Sequence, residues 1–172
     1  MATLPQERFK NNLVQFCDFI KGILEQGKNE GVEVPVDPFI LGLVKNFIQK
    51  EESEKIVTTF ILRSFDSWDR AKNHEKDYFR TDGLKAFYGI PEKNLEDFAR
   101  LFDIKKPDGT LLFDQSVEDL IWDMFESFIK DSVCFVHLKR NPDPVTKKYR
   151  ETFFPLMSIK KQVEAWKITS LE

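Results

Sequence analysis

Residues 117–140 read VEDLIWDMFESFIKDSVCFVHLKR, and this stretch decides the fold. Val117, Leu120, Ile121, Met124, Phe125, Phe128, Ile129, Val133 and Val136 recur every three or four residues, the period of an α-helix with one buried face. Trp122, Cys134, Phe135 and Leu138 fall off that stripe, so the second half is apolar on nearly every side. A helix of this kind is either surrounded by its own chain or covered by a second subunit. Ser116, three residues ahead of Asp119, predicts a capping-box start. Asn141-Pro142-Asp143-Pro144 predicts the end, because proline lacks an N–H and pushes its predecessor out of the helical region.

Upstream, the same period repeats. Phe9, Leu13, Phe16, Cys17, Ile20 and Leu24 predict a first helix over about 6–26, stopped at Gly27. Asp37-Pro38 predicts the capped opening of a second, running to about Lys50 with a wide apolar band of Phe39, Ile40, Leu43, Val44, Phe47 and Ile48. Ser53 is the expected cap of a third, carrying Ile56, Val57, Phe60, Ile61, Ser64, Phe65 and Trp68 and ending near Asn73. Shorter helical pieces follow over 75–88, broken at Gly83, and after Pro91. Lys106-Pro107-Asp108-Gly109 is a turn signal, with a short extended piece expected over 110–113. Phe153-Phe154-Pro155 reads as an apolar plug, and Ser158 as the cap of a closing helix with Val163, Trp166 and Ile168. The expected architecture is one all-α domain over 1–172, a bundle of six or seven helices around the long helix 117–140.

Composition narrows the function. The 29 acids and 26 bases leave a net charge of −3, too balanced for wholesale attraction to DNA or an anionic membrane. Cys17 and Cys134 each sit in an apolar helical run and are expected as buried free thiols, which favours a reducing compartment. Residues 1–10 lack the basic start and apolar stretch of a secretory signal, so the protein is not expected to be secreted. The longest apolar run, near Val133 to Leu138, falls far short of the ~20 residues that span a bilayer, so no membrane partner is expected.

Seventeen phenylalanines stand against two histidines and two cysteines, an investment in packing rather than reactivity. Cys134 and His137, one turn apart, are the most enzyme-like pair, with His74 the other histidine. A core thiol and a satisfied histidine account for them better than catalysis or metal binding. Asp66 with Asp69, near Arg63 and Arg70, and Asp119 with Asp123 read as solvated helix faces with charge pairs. GxxxxGK[ST], GxGxxG and GxSxG spacings do not occur, so the expectation is a protein that is not an enzyme and needs no cofactor.

Lys139, Arg140, Lys147, Lys148, Arg150, Lys160 and Lys161 stand against only Asp143 and Glu151, the one strong charge anomaly. Interleaved with Tyr149, Phe153 and Phe154, they are the candidate contact residues for nucleic acid or another partner, since cations follow phosphates and rings stack on bases. The simpler reading is a basic helix end favoured by its dipole, followed by core plugs. The large apolar groups also exceed what a domain of this size readily hides, which raises a homodimer face as a second kind of contact.

Phe60-Ile61-Leu62-Arg63-Ser64-Phe65-Asp66-Ser67-Trp68-Asp69, Lys76-Asp77-Tyr78-Phe79, Ile121-Trp122 and Phe153-Phe154-Pro155 together form a recognisable pattern. It resembles uncharacterised helical proteins of the giant, nucleocytoplasmic large DNA viruses, marseillevirus-like ones above all, over roughly 56–166. The resemblance carries no catalytic residue. It implies a viral origin, a host-cytoplasm virion factory or the virion itself as setting, and aromatic positions used for packing. The functional expectation is a non-enzymatic viral interaction or virion-associated protein acting through contacts with itself or another protein, with nucleic-acid binding through residues 139–161 as the alternative.

Overall fold

The computed structural model describes residues 4–75, 77–86 and 92–140, with Asp69, Lys72, His137, Lys139 and Arg140 described by backbone alone. Among these residues the fold is all-α: α1 (Pro5–Asn29), α2 (Pro38–Lys50), α3 (Ser53–Ser64), α4 (Trp68–Lys72), α5 (Asp82–Lys85), α6 (Leu95–Arg100) and α7 (Gln115–Arg140). Single 3-10 turns at Phe65–Ser67, Tyr78–Arg80, Glu92–Asn94 and Leu101–Asp103 join the short pieces. The plug 153–155 and the closing helix after Ser158 lie outside the described residues, as does the proposed opening at Pro91.

The first helix overruns its expected stop. Gly27 lies inside α1, where Leu112 packs so closely that a Cβ would meet its methyl carbons at 3.2 Å. The stop comes at Gly31, whose φ of +81° is open to glycine at little cost. Gly31 N–H donates to Lys28 O at 3.1 Å and Val32 N–H to Gly27 O at 2.8 Å, the paired bonds that close a helix end. The second helix opens as expected, with Asp37 Oδ1 accepting from Phe39 N–H at 2.9 Å.

Two other caps differ from expectation. Ser53 is the first residue of α3 rather than its cap, which falls at Glu52 with no side-chain hydrogen bond. The long helix starts at Gln115, and its cap is Asp114: Asp114 Oδ1 accepts from Val117 N–H at 3.0 Å and from Ser116 Oγ at 2.6 Å. Ser116 thus serves the cap rather than being it. Those donors hold the Asp114 carboxyl below its usual range. The expected extended piece over 110–113 reduces to one bridge, Lys105 with Leu111, around the turn in which Lys106 N–H reaches Thr110 O at 2.7 Å.

The expected third helix to Asn73 is broken at Ser64. Ser64 Oγ donates to Phe60 O at 2.6 Å, Ser67 Oγ donates to Ser64 O at 2.9 Å, and Trp68 Nε1 donates to Ser64 Oγ at 2.9 Å. Hydroxyls that take main-chain carbonyls compete with the helical ladder and bend it, so the chain tightens into a 3-10 turn before α4. Ser67 Oγ also meets Tyr78 Oη at 3.3 Å, and burial pushes the Tyr78 phenol up to about 12. In the next segment Gly83 lies within α5, and the break falls before it, at Thr81.

Packing joins these pieces into one core. α1 packs against α2, α3 and α7, while α7 packs against α1, α3 and α4. Lys10 meets Gln49 O and Glu51 O, and Asp18 meets Lys45, so α1 and α2 run antiparallel. Phe9 touches Phe60 and Phe128 with ring centroids at 4.9 and 5.0 Å, and Phe128 also meets Phe16 and Phe125. The ring contacts continue from Phe125 to Tyr78 and Phe79, then through Phe102 to Phe113.

Trp122 and Phe135, read from sequence as either core or dimer surface, are buried by their own chain at 7% and 2% exposure. The Trp122 ring is closed over by His74, Tyr78 and Phe79, with centroids at 4.5, 6.0 and 4.3 Å. Leu138 is half-buried.

Among the described residues, one carboxyl side chain is buried in this core. Asp131 is 6% exposed, with Arg8 Nε at 3.1 Å and Asn12 Nδ2 at 3.4 Å from its oxygens. Burial pushes its carboxyl above the usual value, and Arg8 offsets only part of that.

Phe128→Ala should lower unfolding free energy by about 3–5 kcal/mol, because four aromatic neighbours cannot all close the void. Leu120→Ala, at an exposed position, should stay within about 0.5 kcal/mol; chemical denaturation of both variants makes the comparison.

Asp131 gives a pH signature opposite to that of Asp114. Folded Asp131 keeps its proton to a higher pH than the unfolded chain, so its contribution falls as pH rises from about 4 toward neutrality. The stabilisation from Asp114 is present above the ordinary carboxylate value and is lost as pH falls through its lowered value. Asp131→Asn should therefore gain on the native protein between pH 4 and 7 in denaturant titrations. A stability difference that stays flat across that range defeats the assignment.

Candidate functional site

Helix α2 carries more apolar surface than its core contact uses. Leu41, Val44 and Ile48 are buried, and Ile40 is half-buried against the same core. Phe39, Leu43 and Phe47 are 66%, 53% and 51% exposed. Spaced by four, these three lie along one strip of the helix, on the flank away from α1. The sequence band Phe39, Ile40, Leu43, Val44, Phe47 and Ile48 is therefore split lengthwise, one edge in the core and one in solvent. A stripe of three large apolar side chains on one helix is the kind of surface that marks an interaction site.

Acids gather at the start of this helix, with Glu33 and Asp37 exposed, and Lys50 is exposed at its end. Lys45 is tied to Asp18 across the α1 contact at 2.9 Å, on the opposite side of α2 from the stripe. The signal for this site was present in the sequence as the unusual width of the band. Which edge would stay outside depended on where α1 lay.

The residues singled out from sequence fall elsewhere. Lys139 and Arg140 belong to the last turn of α7, with backbone alone described, and Lys147, Lys148, Arg150, Lys160 and Lys161 lie outside the described residues. Cys134 is buried in α7, while His74 is anchored two turns earlier. The His74 ring stacks on Trp122 at 4.5 Å and 5°, and its Nε2 meets Glu126 Oε1 at 3.1 Å. Glu126 and Cys134 are separated by about 12 Å along the helix axis at 1.5 Å per residue. His74 and Cys134 therefore do not share a reaction centre, and the His137 side chain is not among those described.

His74 has a left-handed backbone, φ +49°, a conformation that costs a non-glycine residue about 1–3 kcal/mol. Its N–H donates to Ala71 O and Glu75 N–H to Arg70 O, so it closes α4 in the place where glycine is usual. The Trp122 stack and the Glu126 contact hold it there. Arg70 pairs with Glu75 and Asp82 at 2.6 Å each, rather than with its helix neighbour Asp66. Asp119 accepts from Gln115 Nε2 at 2.8 Å. Among the described residues, no three His, Cys, Asp or Glu side chains are grouped to hold a metal ion, and no helix is long and apolar enough to cross a membrane.

Between α1, α2 and α6 lies an apolar cavity of about 50 Å³, lined among others by Leu13, Cys17, Leu41 and Phe98. Organic ligands usually occupy pockets of roughly 300–1,000 Å³. The Cys17 thiol on its wall is pushed up to about 12, chiefly by burial and secondarily by Asp18. It is held as a neutral thiol, an apolar wall group rather than a nucleophile. The two cysteines are free and buried, as expected from sequence. No known family model, curated protein sequence or solved structure matches this chain.

Proposed function

We propose that this protein is a non-enzymatic viral interaction or virion-associated protein that acts through protein–protein contacts. The observation that carries this reading is the outer flank of α2, where Phe39, Leu43 and Phe47 stand more than half exposed in a row. Exposed rows of aromatic and aliphatic side chains gain free energy when a partner removes them from water, at about 25 cal/mol per Å². The viral setting, in the host-cytoplasm virion factory or in the particle, is supported by the resemblance of the aromatic motifs over 56–166. Two free buried thiols fit a reducing compartment.

Lysine cross-linking in lysate of infected cells tests the contact. Lys50, at the end of the stripe, should link to another polypeptide chain. The link should disappear in a triple variant, Phe39→Ser, Leu43→Ser and Phe47→Ser, that keeps its helical circular dichroism. Links that persist unchanged in the folded variant would falsify the reading.

One observation favours a second activity, nucleic-acid binding: seven bases against two acids between Lys139 and Lys161. Such a segment tracks phosphates, and its affinity falls steeply with salt. Replacing Lys147, Lys148 and Arg150 by Ala should weaken binding to single-stranded DNA. It should also flatten the log–log salt slope by roughly 2, three contacts at about 0.7 each. Absence of binding at low salt ends this alternative.

A further inference from the structure

We infer that the apolar cavity between α1, α2 and α6 is a binding site for one small apolar molecule, a guest the size of xenon or dioxygen. The site is independent of the contact surface on α2. Its size, its lining and its rigidity each point to such a guest. The volume of about 50 Å³ is several times the ~10–15 Å³ that one water molecule needs, and about a third of the ~150 Å³ that takes a benzene ring. A guest of about one to three heavy atoms fits, and larger organic molecules do not.

The lining keeps water out. Its side chains are hydrocarbon apart from the Cys17 thiol. Burial holds that thiol neutral, and a neutral thiol is a weak donor and a weak acceptor. A buried water needs about two to four polar partners, so one thiol does not hold it there. An apolar guest needs none, and it restores to the lining atoms the dispersion contacts that a void denies them.

The walls do not close in on the space. Phe79 lies nearly parallel to Phe102 with ring centroids 5.9 Å apart, and Phe102 meets Phe113 edge-on at 5.3 Å. On α1, Phe16 stands edge-on to Phe128 at 5.9 Å. Rings held by other rings turn inward only by giving up those contacts. Methionine, whose flexible thioether fills irregular gaps, is not among the lining residues. The cavity is therefore preformed, and a guest enters it without rearranging the core.

Xenon titration of the full, methyl-labelled chain tests the site by NMR. Saturable shifts should appear on the methyls of Leu13, Leu41, Val44 and Ile121, while those of the exposed Leu62 and Leu120 move only in proportion to xenon pressure. Benzene, which needs about three times the volume, should leave the lining methyls unmoved. Cys17→Met extends a side chain into the cavity and should weaken xenon binding at least about tenfold, with the helical circular dichroism retained.

Lining methyls that never saturate, or that respond to benzene as they do to xenon, overturn the assignment. Saturation confined to Leu43, on the outer flank of α2, places the guest elsewhere and overturns it too. So does a folded Cys17→Met variant that binds xenon as the native chain does, or a long-lived water with nuclear Overhauser contacts to the Leu13 or Val44 methyls. The titration of the native chain stands by itself should the variant fail to fold.

Discussion

Phe9, Phe60 and Phe128 meet where α1, α3 and α7 cross, and the rest of the structure hangs from that contact. Each ring comes from a different helix, and each is at or below 1% exposure. The rings pack tilted rather than stacked face to face, the arrangement that the charge distribution of an aromatic ring favours. Close-packed rings from three helices interlock, so this contact helps fix both the separation and the register of α1, α3 and α7.

Polar groups refine what the rings begin. Asp131 is buried between α1 and α7 and finds Arg8 and Asn12, so a shift of one turn between those helices would strand a charge in the core. Ser64, Ser67, Trp68 and Tyr78 do similar work around the kink after α3. Their hydroxyl and indole hydrogen bonds stop a helix that the apolar pattern would have continued. Ser64→Ala would leave the buried Trp68 N–H without its acceptor.

The same packing explains the surface. Once Phe9 and its neighbours fix α1, the antiparallel partner α2 can present only part of its circumference to the core. Its apolar band is wider than that part, and the surplus is Phe39, Leu43 and Phe47. Leu41, Val44 and Ile48 anchor the helix in the core, while these three stand more than half exposed. A contact surface is the reading that accounts for the surplus.

Periodicity alone determined that the chain is helical, where the long helix lies, that α2 opens at Asp37-Pro38, and that the two cysteines are buried thiols. Those features depend on local spacing and on capping chemistry that acts within one turn. Tertiary structure decided what spacing cannot carry. Gly27 lies inside the helix with Leu112, far along the chain, packed against it, and the helix stops instead at Gly31. Trp122 is core because His74, Tyr78 and Phe79 close over it, and half of the α2 band is outside because α1 occupies its other side. Which apolar residue meets protein and which meets water is set by neighbours distant in sequence, so that information enters only when the helices pack.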